Sequence, residues 1–368
     1  MFWLGSILDQ VFQEVDMSII NYFAVSWAIM SLSVTIFVNF SSFSSTDNDS
    51  RTFAPNIRDA TFLGVDTAWL STSAGDLLLT NDGGSHWERI SGATIGKFLS
   101  TSFINKTQGW AVNEYGKIWE SFDGGRTWKE VGGLSKDKID RVGLNQIVFV
   151  DDVHGWVIGI PWYIWRTDDG GRNWREYSTL QEKYRIDISR GFFLDAKNGW
   201  VTCSGGKLLK TRDGGQTWEL LIVKLSTGLI NDVSFVDKNV GLISGFPDFG
   251  LYKTVNGGQE WKLLIPFDQS FNSVAISSLS LVDKDEGWAA GQDKWSGGPN
   301  HRGALLHTMD GGKSWIPVKI NGNDTIYSRV YFADKKHGWV IDRDNVYRTR
   351  NRGKSWQVIL RFPPPKEE

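Results

Sequence analysis

One phrase constrains the fold of this chain more than any other. "TNDGGSHW" (80–87) returns as "SFDGGRTW" (121–128), "TDDGGRNW" (167–174), "TRDGGQTW" (211–218), "TVNGGQEW" (254–261), "TMDGGKSW" (308–315) and "TRNRGKSW" (349–356). The closing tryptophans, from Trp87 to Trp356, are spaced by 41, 46, 44, 43, 54 and 41 residues. A unit of about 45 residues falls where internal repetition means a solenoid or a propeller.

Each unit reads as four short strands. In 145–176, runs rich in β-branched and aromatic residues at Gln146–Val150, Trp156–Ile160, Tyr163–Thr167 and Asn173–Tyr177 are separated by turn residues, which predicts an antiparallel meander. The first turn ends in Gly-Trp in five units, at Trp110, Trp156, Trp200, Trp288 and Trp339, with Trp69 and Leu242 in the same slot of the other two. The repeated box is the third turn. Its Asp82, Asp123, Asp169, Asp213, Asn256, Asp310 or Asn351 accepts hydrogen bonds from backbone N–H groups of its own turn. Its glycines supply the positive φ of a tight hairpin, and its Trp buries a large apolar area. These acids are therefore read as structural, not as metal ligands or catalysts. Seven such units predict an all-β, seven-bladed β-propeller of four-stranded antiparallel blades over 57–362, closing without strand exchange. Residues 363–368 form a Pro-rich tail.

Composition narrows the partners. Residues 1–50 carry five acids and no Lys or Arg, so the remaining chain holds 40 basic and 37 acidic side chains, a balance of +3. That is too mild for nucleic acid, which calls for a clustered basic stripe. The lone Cys203 excludes an intramolecular disulfide and a Cys-based metal cluster. The five histidines form no metal signature, and neither metal nor cofactor is expected. Residues 1–16 place Leu4, Ile7, Leu8, Val11, Phe12 and Val15 on one helical face, an amphipathic segment. No charge interrupts 17–46, so 17–40 is predicted to be a hydrophobic helix, either a transmembrane signal-anchor or a signal peptide. Residues 41–56 are a linker.

The box resembles the Asp-box or BNR repeat of sialidases and other propellers. The joint pattern "DVHGWVIG…WRTDDGGRNW" and "KNGWVTCSGGKLLKTRDGGQTW" is similar to the photosystem II stability/assembly factor family, over about 57–360. The resemblance implies a membrane-tethered or exported propeller in the periplasm or thylakoid lumen. It would bind a newly made membrane-protein subunit, in photosynthetic members a reaction-centre precursor. Two departures stand out: the lipid-anchor cysteine of many cyanobacterial members has no counterpart here, and the family's arginine-rich client patch is not placed on particular residues.

Two other classes remain open. A sialidase-like glycoside hydrolase would need an arginine triad and an Arg-Ile-Pro signature, of which "ERISG" (88–92) lacks the proline. It would also need a carboxylate pair about 5–10 Å apart, a spacing that the sequence does not establish for Asp137, Asp140, Asp187, Asp248 or Asp293. A carbohydrate- or cell-surface-binding propeller would need exposed aromatics. Subtracting the repeat shows where a partner would dock. Successive turns of a meander alternate between faces, so the first turns and boxes share one face, and the second turns and interblade loops share the other. Second turns normally centre on Gly75, Gly116 or Gly206, but blade three has Pro161-Trp162. Blade six inserts "QDKWSGGPN" (292–300), followed by His301 and Arg302. Trp162 and Trp295, with Lys136, Lys138, Arg141, Lys183 and Arg185 from the interblade loops, form the expected recognition face.

Overall fold

The computed structural model describes residues 57–91, 95–133, 143–160, 163–177, 186–223, 228–246, 250–265, 274–293, 302–320 and 326–362. They hold 28 strands in seven four-stranded antiparallel sheets, each made of strands consecutive in the chain. Blade three, for example, runs Gly143–Phe149, Gly155–Ile160, Tyr163–Thr167 and Arg175–Glu176. First strands of neighbouring blades touch, so the sheets stand around an axis as a seven-bladed propeller. The predicted hydrophobic N-terminal helix lies outside the described residues. Within them, no helix is long and apolar enough to cross a membrane.

The box forms as its residues dictate. In blade one, Thr80 Oγ1 donates to Asp82 Oδ1 (2.9 Å) and accepts from Gly84 N (2.8 Å), while Asp82 Oδ1 accepts from His86 N (2.9 Å). The first box glycine also donates its N–H to the first turn of its own blade, as Gly214 N does to Lys197 O at 2.8 Å. The two turns therefore share a face, as predicted.

A second turn motif went unread in the sequence. Asn105, Asp151, Asp195, Asp237, Asp283 and Asp334 each stand four residues before the glycine that precedes the slot residue. Asp195 Oδ1 accepts from Lys197 N at 2.7 Å and from Asn198 N at 2.8 Å, and the other five repeat this pattern. A short polar side chain bonding two residues on fixes the turn.

The core lies between blades. Trp200 is fully buried and stacks on Phe235 of the next blade at 3.7 Å, with Trp261 of that blade edge-on to the same Phe. Its indole N–H donates to Gly257 O of the neighbouring box at 3.2 Å. Trp69, Trp110 and Trp156 repeat the bond at 2.9, 3.0 and 2.8 Å. Slot glycine and stacked ring are linked, because a Cβ at Gly199 would lie 2.4 Å from Phe193. Where blade five puts Leu242 in the slot, blade six supplies Leu281 instead of Phe. The two changes match, and Lys253 Nζ takes over the bond to Gly311 O at 2.8 Å.

Among the described residues, no strand is exchanged to close the ring. Phe62 of blade one stacks on Tyr331 of blade seven at 5.0 Å, and Trp87 Nε1 donates to Ile359 O at 3.1 Å. Side chains make this joint.

Candidate functional site

The expected recognition residues fall largely beyond what the structure describes. Trp162, Trp295, His301, Lys136, Lys138, Arg141, Lys183 and Arg185 lie outside the described residues. Arg302 opens the strand Arg302–Thr308 opposite Asp293, but its side chain and that of Asp293 are not described. Among the acids weighed for hydrolysis, Asp137, Asp140 and Asp248 also lie outside, and Asp187 is exposed at the start of blade four. The second-turn glycines adopt the expected conformation, with φ of 95° at Gly75, 68° at Gly116 and 64° at Gly206.

On the same face, the first strands build a site that the sequence reading did not assemble. In six blades this strand carries a β-bulge near its start, skipping Arg58, Leu99, Asn145, Ser189, Asn231 and Ser277. A bulge frees one residue from the ladder and re-aims it. Asn145 Nδ2 donates across the seam to Ser189 O at 2.8 Å, Asn231 Nδ2 to Ile276 O at 2.9 Å and Ser277 Oγ to Tyr327 O at 2.9 Å. The next position is polar in every blade: Asp59, Ser100, Gln146, Arg190, Asp232, Ser278 and Arg329. Four of these accept from a backbone N–H of the next blade. Asp59 takes Thr101 N (2.9 Å), Gln146 takes Gly191 N (2.8 Å), Asp232 takes Leu279 N (2.8 Å) and Ser278 takes Val330 N (3.2 Å). These N–H groups face the seam, where an unmet donor is expensive.

Arginine cannot accept, and each arginine of this tier is followed by a blade bearing aspartate. Arg329 Nη2 lies 2.5 Å from Asp59 Oδ1, and Arg190 Nη1 lies 3.8 Å from Asp232 Oδ1. Burial lowers the pKa of Arg329, Asp59 opposes, Arg190 adds to the lowering and Asp232 opposes. Burial likewise raises the pKa of Asp232, against Arg190, the Leu279 and Val233 N–H groups and Arg329. The four charges thus act on one another around the axis. About a quarter of each arginine side chain stays accessible. A guanidinium has five N–H donors, so both arginines keep donors for a carbonyl or carboxylate entering from this face. Counting back two residues from the position paired with the slot residue would have revealed this tier in the sequence.

On the box face, cations stitch the seams. Arg166 Nη1 donates to Asp213 O (2.8 Å), Lys210 Nζ to Gly257 O (2.7 Å) and Arg348 Nη1 to Gly83 O (2.7 Å). All three come from the same third-strand position and reach the next blade's box. Cys203 is buried, and its thiol is pushed up to about 12 by burial, which leaves it inert as a nucleophile or ligand. Among the described residues, no group of three or more His, Cys, Asp or Glu side chains is placed to hold a metal ion.

The family model of the photosynthesis system II assembly factor YCF48 matches residues 86–184 and 219–361. The chain belongs to that family. Among solved structures it is similar to YCF48 bound to D1 peptide, with a TM-score of 0.63 and 20% identity over 81% of this chain and 94% of that one. YCF48 from Cyanidioschyzon merolae gives 0.64 and 19% over 82% and 97%. The fold extends to enzymes. The GH74 xyloglucanase from Xanthomonas campestris gives 0.64 and 15% over 84% of this chain, but only 55% of that one. No curated protein matches the sequence.

Proposed function

We propose that this chain is a non-catalytic scaffold that binds a reaction-centre subunit of photosystem II during assembly. In this reading the propeller works in the thylakoid lumen or periplasm, tethered through residues 17–40. Membership in the YCF48 family carries the proposal, and the similar YCF48 structure bound to D1 peptide names the kind of client. The geometry supports it. At the axis, Arg190 and Arg329 keep hydrogen-bond donors, which suits an extended polar segment. Asp59 and Asp232 are each engaged by arginine and a backbone N–H, an arrangement that fits structure better than general acid–base work.

Affinity capture of the tagged full-length chain from native membranes, read by mass spectrometry, tests the proposal. Reaction-centre subunits should be enriched, and the Trp162→Ala/Trp295→Ala variant should lose them while melting like wild type. A capture devoid of membrane proteins, or binding on a glycan array in its place, overturns it.

A further inference from the structure

Among the described residues, Arg352 is the one non-glycine at positive φ, at 61°. It occupies the first-glycine position of the blade-seven box. At Gly83, Gly214, Gly257 and Gly311, though not at Gly124 or Gly170, a cation from the preceding blade covers that position: a Cβ would lie 1.5 Å from Arg348 Nη1 at Gly83 and 2.3 Å from Lys210 Nζ at Gly257. Blade six offers His307 instead of a long cation, and the reach is reversed. Arg352 Nε lies 3.1 Å from Glu286 Oε1 of blade six. His307 Nε2 lies 3.1 Å from the same oxygen. The Glu286 side chain is only 3% exposed, and the His307 ring stacks on Trp288 at 3.9 Å. The imidazole and the guanidinium thus crowd one buried carboxylate oxygen, Arg352 Nε also donates to Lys335 O at 3.4 Å, and Arg352 is held there in a backbone conformation that L-residues disfavour.

We propose that the seam between blades six and seven is an acid-sensitive latch: a proton taken up by His307 makes it the stronger partner of Glu286, releases Arg352 and opens the blade-seven box. The charged groups around His307 are Glu286 and Asp283 from the first turn of its own blade, Lys335 from the first turn of blade seven, and Arg352 from the box. Lys335 Nζ stands 2.6 Å from Asp283 Oδ2 and 3.6 Å from Glu286 Oε2. With His307 neutral, two carboxylates face two cations. A third cation unbalances the cluster, and Arg352 is the member whose departure also relieves its backbone.

The sign follows from linkage. Burial holds the His307 imidazole below its usual range, Glu286 opposes this, and the Arg352 charge adds to the lowering. Removing that charge restores proton affinity, so protons bind the open seam better and acid populates it, by at most about tenfold per pH unit for one proton.

Amide hydrogen exchange of the full chain tests the latch. In box seven, Gly353 N donates to Thr349 Oγ1 and Ser355 N to Asn351 Oδ1. In box five, Gly258 N and Glu260 N make the same bonds to Thr254 and Asn256. Both boxes carry Asn, so neither titrates, and box five is the internal control. Protection of Gly353 and Ser355, corrected for intrinsic rate, should fall between about pH 7 and 5 while box five holds. His307→Gln should make box seven insensitive to pH. Arg352→Gly, which restores the residue of the other six boxes, should do the same with higher protection. The latch is overturned if boxes five and seven respond alike in the wild type, or if either variant keeps the pH response. Should His307→Gln fail to fold, Arg352→Gly decides alone.

Discussion

Two kinds of glycine serve this fold for different reasons. Gly199 precedes a slot tryptophan and has no need of positive φ; what matters is its missing Cβ, because the Phe193 ring lies across it. Gly199→Ala should therefore cost about 1–3 kcal/mol by overpacking, read as a lower midpoint in chemical denaturation. An unchanged midpoint would show that the ring moves aside freely. Gly215, the second box glycine, sits at φ 99°. Gly215→Val should cost a similar 1–3 kcal/mol, about the strain of one residue in a disfavoured region, and a β-branched side chain cannot relieve it by shifting rotamer. Blade one supports the first argument. There Ala68 replaces the slot glycine, and the cross-strand Phe62 has turned to stack on Tyr331.

Turns set the response to acid. The Ser314 hydroxyl and backbone N–H hold Asp310 at about 2. Asp123 reaches about 2 despite opposing burial, through Thr127 and Ser121. In the first turn of blade six, Lys335 and two backbone N–H groups bring Asp283 to about 2. Each folded pKa lies below the ordinary 3.8. The stability these groups contribute is therefore complete above the unfolded pKa and lost as pH falls through the folded one. Melting temperature should depend little on these groups above about pH 5 and fall between about pH 4 and 2. Asp310→Asn, which copies the natural Asn256 and Asn351, should soften that fall; a steeper one would show that the carboxylate charge is not what acid removes. The box was legible in the sequence because Thr, Asp, two glycines and Trp each do something local. The companion motif Phe-x-Asp-x-x-x-Gly-Trp was equally local, but its Asp is separated from Gly-Trp by a variable stretch that hides it.

At the scale of the whole ring, the blade count was legible because each blade is one contiguous repeat, whereas the axial site was not. Its tier of Asp59, Arg190, Asp232 and Arg329 has no common residue type, since what each position needs depends on the next blade: an acceptor for a backbone N–H, or an arginine where an aspartate follows. Closure is likewise a property of the ring rather than the repeat. At the seam between blades three and four, Trp156 N–H and Arg166 both bond the neighbouring box. Where blade seven meets blade one, Trp339 Nε1 has no hydrogen-bond partner, and the load falls on Arg348. That side chain, 4% exposed, gives Nη1 to Gly83 O and Nη2 to Val65 O and Asp66 Oδ1, and stacks over Trp339 at 5.2 Å. Arg348→Ala leaves two carbonyls unmet at the one joint where no chain connects the blades directly. It should cost about 2–6 kcal/mol, roughly 1–3 kcal/mol for each carbonyl left without a donor, with little added by the half-exposed Asp66. Arg166→Ala, beside an intact indole bond and a covalent link, should cost about 1–3 kcal/mol. Equilibrium denaturation of the two variants under the same conditions compares them directly, and equal losses would mean that the ring has no special closing seam.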